Sequence, residues 1–458
     1  MARGIGPRLG AVVAALAVLL GAVAYQPAPP AAAGTDRAAT GADWVVESPA
    51  SHGMDPAKLE EARDYAMVPS RNTQAVIVVH QGAIVAEWYG PGADQASYGT
   101  SWSVAKSVTS SLIGIALGEG LIPGIDEPMT TYFPEWIGTP KEAITLRHVL
   151  HMESGLDFEE DYDPANAADS DIIQMIATQR DQLAYAAGLP VEVPPGTQFD
   201  YSSGDTMLLS GVLQQATGMS AGAYARQKLF DPLGMGAVDW WQDAEGHTLT
   251  YCCVDATARD FARFGQLYLD GGQWGGQQVV PASWVTDSLT DTAATNDGYG
   301  YQWWLDAGSN GIPDRYTAIG FDGQAITVIP SLDLVVVRFG TYVKSPCPPI
   351  ADPNLVAYLP PLGLVPGKGT VPPSDFSATD FLRPIVDSFT SPGDGDAAAP
   401  AGATAPEPAT PGATNRAAAD ECANVASTPT TTTAVPGLPE TAGAAAAVPV
   451  AGRPGYTG

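Results

Sequence analysis

Ser103 to Leu121 reads SVAKSVTSSLIGIALGEGL. Val108, Leu112, Ile113, Ile115, Ala116 and Leu117 give this run a helical period and an apolar body. Its opening quartet, Ser103-Val104-Ala105-Lys106, places a hydroxyl and an amine on one helix face, with β-carbons about 5–6 Å apart. A lysine one turn into a core helix must be paired or must give up its charge. Lowering its pKa from about 10.4 to near 7 costs roughly 4–5 kcal/mol, a cost that suggests a use for the neutral amine. A neutral amine beside a serine is a base beside a nucleophile, and acyl transfer then needs no histidine. Alone the quartet is a weak sign. The chain holds six lysines, and chance supplies one S-x-x-K in roughly a third of such chains. The plain alternative is a serine N-cap followed by a solvated lysine.

Around this helix the pattern changes twice. Upstream, Asp55 and Pro56 open a helix that runs to Met67. TQAVIVVH (73–80) and AIVAEWY (83–89) then read as two strands joined by a tight turn. Residues 125–265 are mainly helical, with Pro and Gly breaks. Strand signals return in YGYQWWLD (299–306), RYTAIG (315–320), QAITVIP (324–330) and LVVVRFGT (334–341). Ser374 to Phe389 reads as a closing helix. Strands from both ends and helices from the middle predict an α/β sheet domain over 43–390. A helical domain is inserted at about 125–265, and the site lies in the cleft between them.

The chain has 458 residues, with 21 Lys and Arg against 50 Asp and Glu, a net charge of −29. No basic cluster relieves that balance, which excludes nucleic acid and anionic membrane surfaces as partners. Arg3 and Arg8, the apolar run Leu9–Tyr25 and the A-x-A triplet Ala22-Val23-Ala24 predict an export signal over 1–24. The protein is then secreted or extracytoplasmic with no membrane span in the mature chain, or anchored if the signal stays uncleaved. Residues 25–42 read as a spacer. Residues 391–458, rich in Ala, Pro, Thr and Gly, bury too little apolar surface to fold. Export permits disulfides. Adjacent cysteines make strained bridges, so Cys347 is expected to pair with Cys252 or Cys253, with Cys422 in the tail. No C-x-x-C or histidine spacing marks a zinc site.

Two further segments carry candidate chemistry. Asp200-Tyr201-Ser202-Ser203 offers a tyrosine that would relay a proton to a leaving group, or that simply packs. Ala318-Ile319-Gly320-Phe321-Asp322-Gly323-Gln324 joins two strands. A backbone N–H there, with the amide of Ser103, would hold a developing oxyanion; an ordinary glycine turn is the other reading. Gly218-Met219-Ser220-Ala221-Gly222 matches G-x-S-x-G but follows a helical run, so Ser220 reads as an N-cap. His148 and His151 lack an H-E-x-x-H frame and read as packing residues, with Glu153 and Asp157 as available partners. Trp240, Trp241, Trp303 and Trp304 read as core or rim.

SVAKS, LRHVLHMESGL (146–156), PPGTQFDYSS (194–203), LFDPLGM (229–235), DFARFGQLYLDGGQWGG (260–276) and IGFDGQ (319–324) follow one another in a familiar order. Over about 45–390 the chain resembles the class C β-lactamase and D-alanyl-D-alanine carboxypeptidase-like family, and within it the 6-aminohexanoate-dimer hydrolases and related esterases. The resemblance implies a β-lactamase/transpeptidase-like fold, an antiparallel sheet flanked by helices. It implies Ser103 as the acylated nucleophile, Lys106 as its base and Tyr201 as a second proton-transfer residue. The amides of Ser103 and Phe321 would form the oxyanion hole, with Ser203 and Gly320 contacting substrate. No metal or organic cofactor is implied, and the substrate is a small amide or ester. Two departures stand out. Ser203 replaces an asparagine, and Ala318-Ile319-Gly320 lacks the Lys or His that begins this motif in β-lactamases and carboxypeptidases. That loss argues against the alternative of D,D-peptidase or β-lactamase action. Intact Ser103, Lys106 and Tyr201 argue against a non-catalytic wall-binding protein.

Overall fold

The computed structural model describes residues 44–162, 166, 168–294, 298–341 and 376–389. All lie in the first of two units, Met1–Ala405 and Pro406–Gly458. The expected export signal, spacer and tail, with Cys347 and Cys422, fall outside the described residues.

Helix α1 (Pro56–Ala66) starts where Asp55 accepts the amide of Ala57, with Pro56 in the first turn. Strands β1 (Thr73–His80), β2 (Ala83–Tyr89) and β3 (Tyr98–Thr100) lead into α2 (Val104–Gly118). The middle of the chain supplies α3 (Leu146–Leu150), α4 (Asp171–Thr178), α5 (Gln182–Gly188), α6 (Ser203–Thr217) and α7 (Ala221–Ala225). Then come β4 (Asp239–Trp240), β5 (Val254–Thr257), α8 (Ala258–Leu269), β6 (Gln273–Trp274), β7 (Gln277–Gln278) and α9 (Ala282–Ser288). The chain returns through β8 (Trp304–Asp306), β9 (Arg315–Gly320), β10 (Gln324–Ile329) and β11 (Leu334–Gly340), and α10 (Ala378–Asp387) follows.

One six-stranded sheet, in the order β2-β1-β11-β10-β9-β8, is antiparallel throughout. A smaller sheet, β3-β5-β4, lies in the chain's middle stretch. Strands β1 and β11 are apolar on both faces because both faces are covered. Ile77, Val79, Val335 and Val337 join the larger core with α2, α6 and α8. Val76, Val78, Leu334 and Val336 join a second core with Leu59 of α1 and Phe381 and Ile385 of α10. The alternation follows the period of two along a strand. Helix α8 lies close on the sheet at Gly265, where a Cβ would fall 2.6 Å from Val335 and 2.8 Å from Ile326.

The strand expected over 299–306 shrinks to β8. Residues 299–303 turn tightly instead, with Gln302 at a φ of 64°. That turn lets one residue join three helices. Gln302 donates to the Leu150 carbonyl at 2.9 Å and accepts from Thr206 at 2.7 Å, and its own carbonyl accepts from Ser107 at 2.6 Å. Among the described residues no helix is long and apolar enough to cross a membrane.

Candidate active site

Ser103 precedes α2 without capping it, because its side chain makes no cap hydrogen bond. The residue before it, Trp102, holds a left-handed φ of 46°, a conformation unusual for a large side chain. Its indole donates to Asp322 Oδ2 at 2.8 Å, which ties the turn to the β9–β10 loop. One turn into α2, Lys106 is 1% exposed. Its Nζ lies 3.1 Å from Ser103 Oγ, 2.9 Å from Ser203 Oγ and 3.2 Å from the Tyr251 carbonyl. Burial pulls its pKa down to about 8, against a smaller opposing pull from the Glu160 charge.

The segment Gly320–Gln324 explains itself residue by residue. A Cβ on Gly320 would sit 2.3 Å from the Ser101 carbonyl, so only glycine lets the end of β9 approach the Ser103 turn this closely. Phe321 packs edge-on to Trp102, ring centroids 5.9 Å apart. Asp322 holds the Trp102 indole. Gln324 donates to the Thr100 carbonyl at 2.9 Å and accepts the Gly340 amide at 2.5 Å. Beneath the loop, Arg338 of β11 donates to the carbonyls of Asp322 at 2.8 Å and Gly323 at 2.9 Å. It reaches the Arg71 carbonyl at 2.5 Å as well. Among the described residues the amides of Ser103 and Phe321 have no backbone acceptor.

Tyr201 stands just ahead of α6. Its ring centroid is 4.9 Å from Lys106 Nζ, and it stacks on Trp304 at 5.5 Å. Ser203 is fully buried. Its hydroxyl accepts from Lys106 and donates to Glu160 Oε1 at 2.7 Å, while its amide donates to Glu160 Oε2 at 2.8 Å. It therefore braces the lysine rather than facing open space as a substrate contact would. Tyr162 donates to Glu160 at 2.5 Å and packs on Phe321, centroids 4.8 Å apart. The walls around Ser103 and Lys106 are thus aromatic: Trp102, Tyr162, Tyr201, Trp304 and Phe321. The tryptophans divide accordingly, with Trp240, Trp241 and Trp303 buried and Trp304 half-buried at the site. Sequence reading missed Glu160, Tyr162, Asp322 and Arg338. The Glu159-Glu160 pair beside Tyr162 and an arginine inside an apolar strand were the available signals.

In the first turn of α6, Asp205 is 1% exposed, and its Oδ1 accepts from Ser154 at 2.6 Å. Burial raises its pKa from an ordinary 3.8 to about 8. Between those values the folded chain keeps a proton that the unfolded chain releases. Stability therefore falls as pH rises through that window. Asp205→Asn keeps the shape and removes the charge. Thermal unfolding should show a flatter slope from pH 5 to 8, with Tm at pH 8 raised by a few degrees (about 1 kcal/mol or more). Equal slopes for parent and variant would refute the assignment.

The expected pairing of Cys347 with Cys252 or Cys253 gives way to another arrangement. Cys252 and Cys253 are bonded to each other, Cα atoms 3.7 Å apart. The chain turns at Cys253, whose φ is 72°, and so an adjacent pair bridges where adjacency had argued against it. The flanking residues serve the site: Tyr251 offers its carbonyl to Lys106, and Val254 exchanges hydrogen bonds with Ser101.

The two histidines do structural work. His148 and Thr145 form a reciprocal cap at the start of α3, and His151 packs on Tyr301 at 4.5 Å. Glu153 takes the hydroxyl of Thr292 rather than a histidine. Ser220 caps α7 by accepting from Ala223. Asp181, Asp243 and His247 bring three possible metal-ligand atoms within 4.8 Å of one another. Asp243 already receives the amides of Gln182, Glu245 and His247, so the group is satisfied as a turn clasp.

Comparison with known proteins adds relatives to this geometry. Residues 67–357 match the sequence profile of the family described as Beta-lactamase. The chain is 29% identical over 289 residues to 6-aminohexanoate-dimer hydrolase of Paenarthrobacter ureafaciens, covering 59% of this chain and 73% of that protein. It is 29% identical over 139 residues to penicillin-binding protein 4* of Bacillus subtilis (strain 168), covering 29% of this chain and 28% of that one. A solved structure from Bacillus anthracis, provisionally assigned as a 6-aminohexanoate-dimer hydrolase, is 26% identical with a TM-score of 0.53. It covers 59% of this chain and 74% of its own.

Proposed function

The chain belongs to the beta-lactamase family and is a serine hydrolase, and on that premise we propose that it cleaves a small amide or ester through an acyl-enzyme on Ser103. One observation carries the assignment: a buried Lys106 amine 3.1 Å from the Ser103 hydroxyl, its pKa brought down to about 8. In the neutral form Lys106 accepts the Ser103 proton as Oγ adds to the substrate carbonyl. The N–H groups of Ser103 and Phe321 take the charge that develops on the carbonyl oxygen. Collapse breaks the bond to the amine or alcohol, which leaves with a proton relayed from Lys106 through Tyr201. Water then adds to the acyl-serine, gives its proton back along the same route and frees the acid and Ser103.

The walls narrow the substrate. They are aromatic, and β9 ends in Ala318-Ile319-Gly320, its Ile319 44% exposed, with Ala318 at the position where β-lactamases and carboxypeptidases begin the motif with Lys or His. No cation at that position would pair with the carboxylate of a β-lactam or a wall peptide. An uncharged ester suits these walls better, as does a linear amide such as the 6-aminohexanoate dimer, whose carboxylate stands at the far end of a methylene chain and not beside the scissile nitrogen. The test is a panel of three substrates at equal concentration: a chromogenic β-lactam, a nitrophenyl ester and a linear amide dimer. Turnover of the amide or ester at least about 10-fold above the β-lactam is expected. Preference for the β-lactam would favour the D,D-peptidase or β-lactamase reading instead.

A further inference from the structure

We propose that Glu160 is a positioning residue that aims the lone pair of Lys106 at Ser103, acting through Ser203. The proposal rests on the reading of Ser103 and Lys106 as nucleophile and base, and adds a residue that no motif contains.

The hydrogens in this cluster admit one consistent assignment. An ionised carboxylate only accepts. Glu160 Oε1 lies 2.7 Å from Ser203 Oγ, so the one hydroxyl hydrogen of Ser203 points at Glu160. Glu160 Oε2 holds the Ser203 amide at 2.8 Å and fixes the backbone from which that hydroxyl projects. Ser203 then shows Lys106 only lone pairs, at 2.9 Å. The Tyr251 carbonyl, 3.2 Å away, is likewise only an acceptor. A neutral amine has two hydrogens and one lone pair. Both hydrogens are claimed by Ser203 and Tyr251, and the lone pair is left for Ser103 Oγ at 3.1 Å. Accepting the Ser103 proton simply fills the third position.

Without the carboxylate, the Ser203 hydroxyl is free to turn its hydrogen toward Lys106. The amine would then answer with its lone pair, and Ser103 would face an N–H. Tyr162, donating to Glu160 Oε1 at 2.5 Å, holds the carboxylate in place from the loop side. The other titratable groups near Lys106 are Tyr201, just ahead of α6, and Tyr251, ahead of β5; Tyr299, ahead of β8, in turn faces Tyr201, Glu160 and Asp205. Among the charges at the site, Glu160 is the one that opposes the effect of burial on Lys106.

The test compares Glu160→Gln, Glu160→Asp, Ser203→Ala and the double variant Ser203→Ala/Glu160→Gln, using the ester of the panel across pH 6–10. Glu160→Gln should lower the plateau kcat about 10-fold or more with little change in KM. Its acid limb should move to lower pH, because the charge that favours protonated Lys106 has gone. Glu160→Asp should keep the limb at the parent's position. The double variant should be no slower than Ser203→Ala, since Glu160 acts through that hydroxyl. A parent-like plateau and limb in Glu160→Gln would overturn the proposal, as would additive losses in the double variant. A fluorophosphonate that labels the parent but not Ser103→Ala keeps the underlying reading intact whichever way Glu160 falls. A parent that fails to label at Ser103 overturns both.

Discussion

Lys106→Ala should lower the acylation of Ser103 by about 10³-fold or more, read as the rate of fluorophosphonate labelling or ester burst. The parent's rate should rise as pH rises through about 8, because Lys106 must shed a proton before it can take one from Ser103. In the variant that limb should vanish. A second readout needs no substrate. The unfolded chain holds the lysine proton to an ordinary value near 10.5, while the folded chain releases it near 8. The unfolded state therefore binds more protons between those values, and the parent gains stability as pH rises across them. Lys106→Ala should lose that gain. Near-normal acylation, with the pH limb intact, would mean that another base serves Ser103. Labelling of Ser103→Ala as strong as the parent's would move the nucleophile elsewhere.

Gly320→Ala should be nearly as damaging although it removes no functional group. Its methyl would fall 2.3 Å from the Ser101 carbonyl and 3.1 Å from Trp102 Cβ, and the nearest obstacle is backbone. Little around it can yield. The Phe321–Gly323 loop is held from below by Arg338, and Thr100 is held by Gln324. The end of β9 must then move away from Ser103 and take the Phe321 amide with it. A misplaced oxyanion donor costs about 10²- to 10³-fold in kcat. The expected pattern is a large loss of kcat with a folded protein, shown by an unfolding transition within a few degrees of the parent's. Full activity would show that Phe321 supplies no donor.

The fold was readable where periods are local. Strands 73–80 and 83–89 appear as read, and α2 follows from its apolar spacing. The β9–β11 strands follow from β-branched runs between turns. What escaped was set by contacts distant along the chain. Glu160 meets Ser203 across 43 residues and Arg338 meets Arg71 across 267, and neither leaves a periodic trace. Arg338 looks like a flaw in LVVVRFG until the loop above it is seen to need a donor for two carbonyls. The strand read over 299–306 failed at Gln302, whose three partners require a turn that composition does not announce. The Cys252–Cys253 pair was missed because adjacency was weighed without the left-handed residue that bends the chain there.

The strand order carries a consequence in time. The chain is made from its N-terminus, so Ser103, Lys106, Glu160 and Tyr201 leave the ribosome first. The parts that arm them come late. Phe321 lies on the β9–β10 loop, Arg338 on β11, and Phe381 and Ile385 of α10 cover the back of the sheet. Strand β1 has no inner neighbour until β11 exists, because the two are paired residue by residue, Val78 with Val336. A half-made chain thus carries the whole set of reacting side chains with no frame to bring them to bear. Among the described strands the last to emerge, β11, is the one that joins the two halves of the sheet on which the site stands.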